Sequence, residues 1–141
     1  MTMLTASGRI FEPKRLAAGV LAGLLHHAHE AYCGDVATPI KKVLGPAWRQ
    51  FEDGVEKAVH ASLGISALMA EWKTNVHLAD TSALATEIRG LFLSPADADA
   101  RIRALGLEHI EPDYVGPPAA STSIELAQRF LERYHRLRQE L

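Results

Sequence analysis

A single cysteine, Cys33, stands in a chain of 141 residues. One thiol cannot close an intrachain disulfide, so a disulfide-stapled scaffold is excluded and nothing points to an oxidising compartment. An excess of either charge is also missing. Fifteen Lys and Arg against seventeen Asp and Glu leave a formal net charge of −2 with the histidines neutral. That balance does not provide the basic stripe of a nucleic-acid binder or the polybasic signal of a membrane-surface protein.

The chain also lacks a long apolar run. Its most apolar stretch, residues 16–25, is far short of the roughly 20 residues that span a bilayer. The stretch has the length of a signal-peptide core and follows Arg9, Lys14 and Arg15. Glu12 interrupts that basic region, however, and His26-His27-Ala28-His29-Glu30 makes a poor cleavage site. The expectation is a cytoplasmic chain with no membrane span. Phosphate-binding glycine loops, zinc-spaced Cys/His sets, nucleophile elbows and His-Glu-x-x-His pairs are all absent. His29 and Cys33 could serve as base and nucleophile, but nothing supplies an orienting third group. A non-enzyme is therefore favoured.

What is present is helical spacing of Ala and Leu, with β-branched residues scattered and no alternating strand. It predicts one all-α domain over residues 1–141, a compact bundle or orthogonal array of five to six helices. An N-terminal arm covers residues 1–12. A first helix opens at Pro13 and runs to about Cys33, and a turn or short helix covers Pro39 to Leu44. A second helix starts at Pro46, and Gly64 either ends or kinks it before the pattern continues to about Asn75. Asp80-Thr81-Ser82 offers caps for the next helix, and Ser94-Pro95-Ala96-Asp97 for another that stops at Gly106. Residues 107–121 form a proline-rich connector carrying Tyr114. Thr122-Ser123-Ile124-Glu125 then has the spacing of a capping box and opens the last helix.

Three features bear on function. First, His26 and Glu30 lie four apart on one helix, and Glu56 and His60 four apart on the next. Residues at that spacing share a helix face, and two such pairs could hold an iron, manganese or zinc ion inside a bundle. A helical wheel turns these residues, with His29 and Cys33, away from the large apolar side chains, which favours solvated polar faces. Second, the back of the first helix carries Ala18, Gly19, Ala22 and Gly23, a small-residue face that admits close approach by a neighbour. Third, the last helix has an apolar side (Ile124, Ala127, Phe130, Leu131, Tyr134, Leu137) that must be buried against something. Trp48, Phe51, Trp72, Phe92, Phe130 and Tyr134 fall on core spacings.

The favoured expectation is a binding or accessory protein working through a helix surface, by self-association or as a subunit of a larger assembly. Gly19, Gly23, Tyr114, Phe130 and Tyr134 are its candidate contact residues. The alternative is a metal-binding helical bundle, enzymatic or not, with His26, Glu30, Glu56 and His60 as ligands.

Overall fold

A computed structural model of the chain describes residues 3–4, 10–92, 94–110 and 122–141. The fold is all-α, as the spacing predicts. Its helices are α1 (Pro13–Leu25), α2 (Glu30–Cys33), α3 (Thr38–Ser62), α4 (Ser66–Glu87), α5 (Pro95–Ala104) and α6 (Ser123–Glu140). A five-residue π-helical turn, Ile88–Phe92, extends α4. The arm is not purely irregular. Two short strands, β1 (Met3–Leu4) and β2 (Ile10–Phe11), pair antiparallel with Met3 opposite Phe11. Two-residue strands are too short to show alternation, so the sequence carries no signal for them. Among the described residues, no helix is long and apolar enough to cross a membrane.

The helix ends follow local chemistry. Pro13 and Pro95 occupy the first turns of α1 and α5, where a missing N–H costs nothing. The Ser94 hydroxyl accepts the Asp97 N–H at 3.3 Å, and the Thr122 hydroxyl accepts the Glu125 N–H at 3.3 Å. The Glu125 carboxylate in turn accepts the Thr122 N–H at 2.7 Å, completing the capping box. That backbone N–H, and then the Thr122 hydroxyl, hold the Glu125 carboxyl below its ordinary range.

Gly64 stops α3 in the left-handed region, with φ of +66°. The Gly64 N–H donates to the Ala61 carbonyl, and the Ile65 N–H to the His60 carbonyl. These are the two bonds of a Schellman close. Inside α3 the backbone leaves helical geometry at Gly45 (φ 68°, ψ −150°). Pro46 is the cause: it has no N–H to donate, and its ring disfavours the helical region for the residue before it.

Two boundaries differ from expectation. The first helix ends at Leu25, and a turn precedes the four-residue α2. No helix starts at residues 80–82, because α4 runs through them. There the Thr81 hydroxyl donates back to the His77 carbonyl at 2.7 Å, a bond that threonine makes inside a helix rather than at its start.

The chain divides into two units, Met1–Lys73 with Arg136–Leu141, and Thr74–His135. In the first unit Ala17, Leu21, Ala22 and Leu25 of α1 are buried, as are Val59, Ile65, Trp72 and Leu137. Trp72 lies against Gly19 of α1: a Cβ built there would sit 2.6 Å from the indole ring. Gly23 has nothing within 4 Å of that position. The small-residue face of α1 is therefore filled, at Gly19, by the chain's own tryptophan. Arg15 lies over the same ring, 6.0 Å from its centroid, and pairs with Glu71 at 3.2 Å. The Lys14 ammonium donates to the Leu141 carbonyl at 3.2 Å.

In the second unit Ala85, Ile102 and Leu107 form a buried cluster, with Ile88 and Ile110 packed against it. Arg89 donates to the Ile110 carbonyl at 3.0 Å.

Of the aromatics expected in the core, Trp72 is buried and Trp48 and Tyr134 are half-buried. Phe51 and Phe130 are exposed, at 53% and 40%. Helical spacing selects a face but does not say whether anything covers it. The Phe92 side chain lies outside the described residues.

Candidate functional site

The histidine-rich segment lies at the turn between α1 and α2 in the first unit. Because α1 ends at Leu25, the 100° step of the wheel does not carry past that residue. The turn re-aims residues 26–29. His26 caps the end of α1, and its Nδ1 lies 2.6 Å from the Gly23 carbonyl, to which it donates. The His26 and His27 rings lie 3.7 Å apart, and the His27 side chain is exposed. His29 is buried, at 8% exposure, and its Nδ1 has no hydrogen-bond partner among the described residues. His60, near the end of α3, is equally buried, and its Nε2 is likewise unpartnered among the described residues. The expectation that these histidines sit on solvated faces is thus overturned for His29 and His60. A buried nitrogen left unpaired costs about 1–3 kcal/mol.

Cys33 closes α2 one turn after His29. Its backbone N–H donates to the His29 carbonyl at 3.2 Å, and its thiol approaches the same oxygen at 3.4 Å. The kink at Gly45 lets residues on either side of it meet. Lys41, before the kink, donates to Glu52, after it, at 2.6 Å. The pair is partly shielded, and the Glu52 hydrogen bond raises the Lys41 pKa above its ordinary value. His29, Cys33 and Glu52 each offer a ligand atom, and these atoms lie within 4.8 Å of one another.

That group contains none of the four ligands expected from sequence. His26, Glu30 and Glu56 are half-buried and His60 is buried. The signal for His29 with Cys33 was present in their spacing of four. Glu52 carried none, because only the kink at Gly45 decides where the later part of α3 runs. Of the candidate contact residues, Tyr114 lies outside the described residues. Phe130 is exposed, while Tyr134 is half-buried with its ring 5.3 Å from that of His135.

Burial pushes the His60 imidazole below its ordinary value. The Glu56 charge opposes that shift, and the His29 charge adds to it. The unfolded chain therefore takes up this proton at a higher pH than the folded chain. The neutral His60 contributes full stability above about pH 6.5, and the contribution is lost as pH falls from there through the lowered folded value. Thermal melts from about pH 8 down to about pH 5 should show this loss, and His60→Gln should flatten it. An unchanged slope in His60→Gln would assign the acid sensitivity to other groups.

The surface of α6 is the second feature. Ile124, Leu126 and Leu131 are exposed, at 72%, 51% and 52%, alongside Phe130. On a wheel these four share one broad arc with Ala127, Tyr134 and Leu137. Leu137, toward the end of the helix, is the buried member, at 2% exposure. The opposite side mixes Glu125, Arg129, Glu132 and Arg136.

The fold and these two features define an all-α protein with a histidine-rich interhelical turn and an amphipathic helix whose first two turns expose apolar side chains. No family model matches the chain. Over 70 residues it is 37% identical to "Uncharacterized protein YfdR" of Escherichia coli K12, an overlap of 50% of this chain and 37% of that protein. Over 81 residues it is 36% identical to "Uncharacterized protein RCAP_rcc00048" of Rhodobacter capsulatus, covering 56% of this chain and 41% of that protein. The chain thus matches about two fifths of the length of these curated relatives. No solved structure matches it.

Proposed function

We propose that this chain is a helical binding protein that acts through α6, with a second copy of itself as the partner. The exposed apolar arc of α6 supports this reading. Four large apolar side chains in little more than two turns remain accessible, whereas an amphipathic helix of a finished core turns such an arc inward. The charges on the far side of α6 alternate in sign, so they favour neither a basic nor an acidic partner. A second copy offers an identical apolar arc, as a two-fold interface requires. A net charge of −2 per chain opposes the approach of two copies only weakly.

Light scattering across a wide concentration range tests the proposal. The expected result is a concentration-dependent dimer in the wild type and a monomer in Leu131→Glu. Because Leu131 is 52% exposed, the substitution should shift monomer stability by no more than about 0.5 kcal/mol. A wild-type chain that stays monomeric at every concentration, or a Leu131→Glu dimer as strong as the wild type, overturns it.

A further inference from the structure

We infer that His29, Cys33 and Glu52 form a binding site for a divalent transition-metal ion, zinc in particular, with a fourth position left to water. The three donors come from the end of the α1–α2 turn, the last residue of α2 and the part of α3 beyond its kink. Their ligand atoms lie within 4.8 Å of one another. Zinc holds nitrogen, sulfur and oxygen donors at about 2.0–2.3 Å, which places the members of one tetrahedron within about 4 Å of each other. Small side-chain rotations close the remaining gap.

An independent observation points the same way. His29 is more than nine-tenths buried, and its Nδ1 has no hydrogen-bond partner among the described residues. A buried imidazole in this position needs an acceptor, a donor or an ion. The donor set favours zinc over the harder cations, since one thiolate, one imidazole and one carboxylate suit a borderline-soft ion and not magnesium or calcium. Lys41 engages one carboxylate oxygen of Glu52, Oε1. It fixes the orientation of the carboxylate, as partners behind a metal ligand commonly do. The thiol binds as thiolate, so one proton leaves Cys33 as the ion enters.

The test is titration of the chelator-treated 141-residue chain with zinc chloride against a chromophoric competitor, and in parallel with cobalt chloride followed by absorption. One zinc per chain is expected, with a thiolate-to-cobalt charge-transfer band in the near ultraviolet. Cys33→Ser should abolish that band. His29→Ala and Glu52→Gln should each weaken zinc binding at least about tenfold. Should His29→Ala fail to fold, Cys33→Ser, which changes one atom, still decides through the cobalt spectrum. A chain that takes up no zinc overturns the assignment. So does zinc affinity unaffected by Cys33→Ser and Glu52→Gln, which would put the ion on other residues.

Discussion

Trp72→Ala is expected to destabilise the chain by about 3–5 kcal/mol, the usual range for deleting a buried aromatic side chain. At about 3–4 °C per kcal/mol for a chain of this size, the melting temperature should fall by roughly 10–20 °C. The loss has an identifiable structural source. The indole is 9% exposed and fills the space above Gly19 that a Cβ would otherwise take. The same contact predicts an unusual sign at Gly19. In an exposed helix, Gly→Ala gains about 1 kcal/mol from propensity alone. Here the new Cβ would lie 2.6–2.8 Å from three atoms of a rigid ring. Overpacking of that kind costs about 1–3 kcal/mol, enough to cancel or reverse the gain. Gly19→Ala should therefore be neutral to destabilising in the wild type and stabilising in the Trp72→Ala background. Urea melts of the four chains give the coupling directly. A stabilising Gly19→Ala in the wild type would show that the tryptophan does not occupy that space.

Leu21→Ala is expected to cost about 2–5 kcal/mol, with Val43→Ala held within about 0.5 kcal/mol as its contrast. Leu21 has no exposed surface, while Val43 is 86% exposed. Helix propensity favours Ala over Val more than over Leu, but by no more than about 0.7 kcal/mol, so a loss of this size at Leu21 comes from burial. Thermal unfolding of the two variants beside the wild type measures the difference. Equal effects would mean that α1 does not supply the core of the first unit.

Much of the helix arrangement is legible residue by residue. Pro13, Ser94 with Pro95, and Thr122 with Glu125 announce helix starts, and Gly64 and Gly106 announce ends. The break before Pro46 is equally plain, because proline constrains the residue before it. Each of these signals acts within three or four residues. The stop of α1 at Leu25 had no such mark, since neither Gly nor Pro follows it. Thr81 and Ser82 carried a false one: their hydroxyl groups can cap a helix or bond back within it, and residues on both sides favoured continuation.

The candidate site was legible only in part. The sequence drew attention to the His26–Cys33 segment and to His60, but the wheel drawn through residues 26–33 assumed a continuous helix. Once the chain turns after Leu25, His29 becomes buried and comes together with Cys33 and Glu52. Similarly, the apolar arc of α6 was readable from its spacing, yet only the structure distinguishes buried Leu137 from exposed Ile124 and Leu131.

The sequence by itself determined the all-α class, the near-neutral charge and most helix ends, because propensity, capping and turn chemistry are local. The tertiary structure alone decided which small residue meets Trp72, which histidines lose water and which ligand atoms converge. Those outcomes depend on chain direction set by a few dihedral angles, at Gly45 and in the turn after Leu25, and small changes there move distant side chains by whole contacts.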